Sequence, residues 1–170
     1  PVLGLDAASL VVMAQGTWRP HPIQMEGLAQ FNTPFDDMTV NSYVVWDPAT
    51  RLAAAFDSGA SCAPMLDFIK RFGLDLELVF LTHTHPDHIA DIDKLRVETG
   101  NPTLFYNERE QWKNGRAFTI GEAGNWELGG LSIEARSTWG HSKGGTSYVV
   151  SGLTKPVVVV GDALFASSMG

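Results

Sequence analysis

Cysteine is nearly absent. Cys62 stands alone in a chain of 170 residues, which excludes an intramolecular disulfide framework and leads us to expect a reducing, cytoplasmic setting. Long apolar runs are lacking too. Runs such as those at 78–81 and 157–160 fall far short of the roughly 18 residues that cross a bilayer as a helix. No membrane association is therefore expected, and no secretory leader is visible. Basic residues are in deficit: 12 Lys and Arg face 19 Asp and Glu, giving a net charge of −7. That balance argues against a nucleic-acid partner. Repeats, linkers and low-complexity tracts are missing as well. What remains, 44% hydrophobic and 18% charged, is ordinary globular composition. The length suits a single domain over 1–170. The opening Pro1 in place of Met leads to the expectation of a longer natural chain.

Residues 1–38 read as an N-terminal strand (9–14) and an irregular segment with a two-proline loop at 18–22. From 39 onward the pattern sharpens. Residues 41–46 and 52–56 are expected to pair as a hairpin around Asp47-Pro48. A helix is expected over 63–72, with Ser61 as N-cap, Met65, Ile69 and Phe72 on one face, and Gly73 as its stop. Residues 76–81 read as a strand buried on both faces. A helix over 88–97, a strand at 103–106 and a helix at 107–113 follow. Residues 125–130 and 131–137 alternate like antiparallel strands, and 146–150 and 157–160 read as two more. Strands that precede, separate and follow helices suit sheet layers covered by helices.

The chemistry concentrates in one place. Five histidines occur in the chain, and His83, His85 and His88 lie within six residues, with Asp87 among them. Residues two apart on a strand point the same way, so His83 and His85 can reach one ion. The turn that follows re-aims Asp87 and His88, so the spacing suggests two neighbouring metal positions. Imidazole and carboxylate donors suit zinc, iron or manganese. The cluster follows a strand, where open α/β layers place their sites. Two later residues fit the same site, each beside glycine at a strand end: His141 after Gly140, and Asp162 after Gly161.

His83-Thr84-His85-Pro86-Asp87-His88 resembles the H-x-H-x-D-H signature of the metallo-β-lactamase superfamily. Thr138-Trp139-Gly140-His141-Ser142 resembles its later T-P-G-H-T segment, with Trp139 where Pro is usual. Val160-Gly161-Asp162-Ala163-Leu164-Phe165 resembles its G-D-T-L-F segment. The three stand in family order across about 39–170. The glyoxalase II-like branch, of hydroxyacylglutathione hydrolases and persulfide dioxygenases, is the nearest in pattern. The resemblance implies an α+β fold, a four-layer αββα sandwich lacking its C-terminal part. It implies a first metal site of His83, His85 and His141, a second with Asp87 and His88, and Asp162 bridging both. A further second-site histidine would lie beyond Gly170.

The implied activity is metal-dependent hydrolysis, of thioesters by branch resemblance, with a metal-held hydroxide as nucleophile and Asp87 orienting it or moving its proton. The implied cofactors are two divalent ions, zinc before iron or manganese, and the implied substrate is a small molecule such as a glutathione thioester. The first alternative is a persulfide dioxygenase with one iron on His83, His141 and Asp162. The second is a non-catalytic metal-binding module. Asp57 resembles the D-x-G turn that supports the metal loop in relatives. For the remaining singled-out residues the plain expectation is structural: Cys62 a buried inert thiol, His21 a structural or surface residue, Trp18 and Trp139 core, and Lys143 solvated. Gly144-Gly145 lacks the strand–turn–helix context of a phosphate loop.

Overall fold

A computed structural model describes residues 25–121, 124–165 and 168–170. The strand expected at 9–14 and the loop at 18–22, with Trp18 and His21, lie outside the described residues. The first described element is not irregular chain but a hairpin of β1 (Leu28–Phe35) and β2 (Met38–Trp46), in register from Leu28 opposite Val45 to Phe35 opposite Met38. β1 lies at the sheet edge, which is where a strand tolerates a proline such as Pro34. The expected β2–β3 hairpin forms with β3 (Leu52–Phe56). The Asp47 carboxylate ties its turn, accepting from Ala49 N and Thr50 Oγ1, and reaches across the molecule to Gly130 N.

The chain then crosses over through α1 (Ala63–Phe72) to β4 (Asp75–Phe80), parallel to β3. Cys62, not Ser61, holds the N-cap position of α1, and Gly73 ends the helix in left-handed backbone. Glu77 falls at a register shift against β3 and is exposed, so consecutive residues are buried on both faces only from Val79 through Leu81, next to the histidine cluster. The helix expected over 88–97 is two: α2 (Pro86–Ile89) and α3 (Ile92–Glu98). The break falls at Asp91, whose carboxylate accepts from Cys62 N while its own N–H donates to Ser58 Oγ. β5 (Thr103–Asn107) and the three-residue β6 (Arg116–Phe118) continue the parallel run. The helix expected at 107–113 is instead a turn. Asn107 Oδ1 accepts from Arg109 N, an Asx turn that competes with helix.

The six strands run in sequence order β1 to β6. The second sheet is antiparallel, ordered β10-β9-β8-β7, from β7 (Asn125–Leu128), β8 (Leu131–Ser137), β9 (Thr146–Ser151) and β10 (Val157–Val159). Alternation along β2 and β3 feeds two cores. Val44, Trp46, Ala53 and Ala55 meet Met65, Ile69, Ile92 and Leu95 of the helices. Val45, Ala54 and Phe56 face the second sheet, with Phe80, Ile133, Tyr148 and Val150. The layers are helix, sheet, sheet, consistent with the α+β sandwich expected. Among the described residues no helix is long and apolar enough to cross a membrane.

Candidate metal centre

The two sheets meet at the C-terminal end of β4. Leu81 N donates to Phe105 O, and Thr146 N donates to Thr82 O, so β5 and β9 hold the start of the histidine motif from both sides. His83 is buried, His85 is exposed at the start of α2, and Asp87 and His88 lie buried within α2. The second sheet delivers His141 on the β8–β9 loop and Asp162 on a 3₁₀ turn (Gly161–Ala163) after β10. Gly161 has φ 52°, and a Cβ there would lie 2.5 Å from Thr82 Oγ1. Only glycine lets this turn approach the motif so closely.

Five of the six expected residues fall into two donor groups, and Asp87 stands beside them but in neither. Donor atoms of His83, His85 and His141 lie within 4.8 Å of one another, and so do those of His83, His88 and Asp162. His83 is therefore common to both groups, where the spacing alone had placed it only with the first. His141 Nε2 is 2.9 Å from His85 Nδ1. The Asp162 carboxylate spans the groups: Oδ1 is 3.1 Å from His88 Nε2, and Oδ2 is 3.3 Å from His141 Nε2. Asp87 Oδ2 stands 3.5 Å from His88 Nε2.

Asp57 organises this cluster from beneath. It is buried, with φ 57° in the left-handed region, where a non-glycine residue is strained. Its Oδ1 accepts from Thr82 N, and its Oδ2 accepts from Thr82 Oγ1 at 2.7 Å and from His88 Nδ1 at 2.8 Å. Because Thr82 Oγ1 spends its proton on Asp57, it accepts from His83 Nδ1 at 3.0 Å. That assigns the proton of His83 to Nδ1 and leaves a lone pair on Nε2. His83 Nε2 is buried and, among the described residues, has no hydrogen-bond partner. A buried polar atom without a partner is costly. Here it is aimed into a group of donors that suits zinc, iron or manganese. The residues present fit a metal ion.

Electrostatics separate the two buried histidines. Burial pushes His83 down to about 4, so it is a neutral donor at pH 7. Burial also opposes charge on His88, but Asp57 and Asp162 outweigh it and lift the imidazole to about 10. For Asp162, burial favours the neutral acid, yet the bond from His88 and the surrounding imidazoles hold the carboxyl below its ordinary range.

One residue escaped the sequence reading. Glu110, on the turn after β5, accepts from Thr84 N and Thr84 Oγ1 through Oε2, and from Ser142 Oγ and Gly144 N through Oε1. Partial burial raises its pKa, but these four donors outweigh it and hold the carboxyl below its usual value. The sequence carries no signal for it beyond an acidic residue in a turn. Trp139 corrects another expectation: it is 70% exposed beside the site rather than in the core. Cys62 is fully buried and its thiol is pushed up to about 11, mainly by burial, the inert form expected. Lys143 is exposed, also as expected.

Comparison with known proteins agrees with the geometry. The profile of the metallo-β-lactamase superfamily matches residues 35–170. A hydroxyacylglutathione hydrolase of Pseudomonas entomophila is 26% identical over 149 residues, covering 87% of this chain and 54% of that protein. The crystal structure of ETHE1 from Myxococcus xanthus superposes with a TM-score of 0.64 at 27% identity, over 80% of this chain and 58% of that one. The BLEG-1 B3 metallo-β-lactamase superposes at 0.67 and 24% identity, over 83% and 75%. The chain spans about half the length of the curated relatives it matches.

Proposed function

Because the chain belongs to the metallo-β-lactamase superfamily, we propose that it is a metal-dependent hydrolase of small thioesters, with a glutathione thioester as the model substrate. The observation that carries the metal chemistry is the unpartnered, buried lone pair of His83 Nε2 within both donor groups. The thioester preference is drawn from the named activity of the Pseudomonas relative.

In this reading His83, His85 and His141 would hold one divalent ion and Asp87 and His88 a second, with Asp162 available to both. Zinc is the first choice of ion, before iron or manganese. A divalent metal bound there supplies Lewis acidity, lowering the pKa of water from about 15.7 toward 7 and drawing charge from a carbonyl oxygen. The protein's own groups do the rest. Asp57 fixes the proton of His88 on Nδ1, and Thr82 fixes that of His83, so both Nε2 atoms face the site. Asp87 orients the attacking water and takes its proton at a carboxylate oxygen. Phe165 flanks the site, meeting the His141 ring edge-on at 6.4 Å. The thiolate leaves readily, so no strong general acid is needed.

The test is hydrolysis of S-lactoylglutathione by the metal-loaded chain, followed by loss of thioester absorbance, beside the His85→Ala variant. Turnover that His85→Ala lowers at least about 100-fold supports the reading. Metal-loaded protein without thioesterase activity overturns it. One second reading has an observation behind it. The 3.3 Å approach of Asp162 to His141 suits a mononuclear iron persulfide dioxygenase on His83, His141 and Asp162. One iron per chain and oxygen uptake would favour it, and bound metal with no turnover of either kind would favour a non-catalytic module.

A further inference from the structure

The two loops that carry the first donor group come from different sheets. His83 and His85 follow β4 of the first sheet, while His141 stands between β8 and β9 of the second. Their donors must converge to about 2.0–2.1 Å from one ion, and a shift of either loop would spoil that. Glu110 grips both. Its Oε2 takes the backbone N–H of Thr84 at 3.0 Å and the Thr84 hydroxyl at 2.6 Å, between the two histidines of the first loop. Its Oε1 takes the Ser142 hydroxyl and the Gly144 N–H, each at 2.7 Å, just past His141.

The grip is built in on three sides. The turn that carries Glu110 is closed by Glu110 N donating to Asn107 O and Arg109 N donating to Asn107 Oδ1. Asn107 in turn donates through Nδ2 to Thr146 Oγ1, at the base of the His141 loop. Gly144 leaves room: a Cβ there would lie 2.7 Å from Glu110 Cγ and 2.9 Å from Glu110 N. This glycine is explained by the close approach of the carboxylate and not by its backbone angle.

We propose that Glu110 is a positioning residue for the metal centre: one carboxylate that clamps the His83–His85 loop to the His141 loop and sets the spacing of the first donor group. The assignment rests on the metal-centre reading above. A carboxylate is needed because both oxygens accept from two donors each. An amide has an acceptor at one end only. Hydroxyls can rotate to suit it, but backbone N–H groups cannot. Glu110→Gln therefore leaves the N–H of Thr84 or of Gly144 facing an NH2 group, and one loop is released.

The test uses the purified chain stripped of metal. Zinc affinity is measured by competition with a chromophoric chelator, and cobalt(II) is titrated in and read by its visible absorption. Glu110→Gln is compared with wild type and with Glu108→Gln, an exposed neighbour. The expected result is a zinc affinity about 10- to 100-fold weaker in Glu110→Gln, the usual cost of losing a group that orients ligands. Its cobalt bands should change in position or intensity, and Glu108→Gln should match wild type. Ser142→Ala, which removes one of the four bonds, should move zinc affinity the same way by less, and it decides the matter if Glu110→Gln does not fold. Wild-type affinity and an unchanged cobalt spectrum in Glu110→Gln, or in Ser142→Ala where that variant decides, overturn the positioning role even if melting falls. Failure of the wild-type chain to bind either ion overturns the metal-centre reading, and this assignment with it.

Discussion

His83 and His88 show how single residues are prepared for their place. Both are buried, yet burial wins at His83 and the neighbouring carboxylates win at His88. Asp57 is the common partner, directly to His88 and through Thr82 to His83. Asp57→Asn should therefore weaken zinc binding about 10- to 100-fold and lower stability by about 1–3 kcal/mol, because an amide cannot satisfy all three donors. Chelator competition and urea unfolding measure the two effects separately. His85→Ala should behave differently. Its side chain is exposed, so fold and melting of the metal-free chain should stay near wild type while metal binding at the first donor group is weakened, as circular dichroism and the same titration would show. The six residues gathered at the candidate centre were readable in the sequence because a contiguous motif and two glycine-flanked strand ends mark them. Asp57 was readable as a turn and, by resemblance, as a support of the metal loop, but its partners were not. Its bond to Thr82, 25 residues away, is made by the parallel pairing of β3 with β4, which no local pattern encodes.

At the level of elements, the site depends on turns that three close contacts hold in place: Gly161 on Thr82, Gly144 on Glu110, and Asp91 on Cys62. Gly161→Ala should cost about 1–3 kcal/mol of stability from backbone strain alone, and it should push Asp162 off the centre; melting and zinc titration test both. The Glu110 turn also gives an acid signature. Its carboxyl is held below its ordinary value of 4.5, so the stability it contributes is present above that value and is lost as the pH falls through the lowered one. As the pH falls below about 4.5 the metal-free wild type should therefore lose melting temperature more steeply than Glu110→Gln. Parallel slopes would contradict this. The elements legible in advance were those with clean periodicity: α1, β3, β8 and β9. β1 was hidden by Pro34 and by polar residues tolerated at a sheet edge. β6 is too short to show a period. The helices expected over 88–97 and 107–113 failed where Asp91 and Asn107 direct hydrogen bonds to other segments instead of continuing a helix.

Across the whole molecule, the candidate centre joins two sheets that otherwise meet through a shared apolar core. Below it, Tyr148 of the second sheet donates to Leu81 O at the end of β4, fully buried at 2.7 Å. Tyr148→Phe should cost about 1–3 kcal/mol by leaving that carbonyl unpaired, measurable by urea unfolding of the metal-free chain. The α+β layering could be anticipated because strand and helix segments alternate in order. The sheet-to-sheet contacts could not, since they pair residues far apart in the chain. An ion held by donors from both sheets would act as a further cross-link. At about 100 times its Kd such a ligand adds about 2.7 kcal/mol, so chelation should lower the melting temperature by about 5–10 °C. The most direct measurement is the metal content of the purified protein by elemental analysis, as ions per folded chain. Close to two divalent ions per chain, zinc foremost, are expected, with the ratio falling in His85→Ala. Folded protein that holds no metal, and takes up none when zinc is supplied, would contradict it.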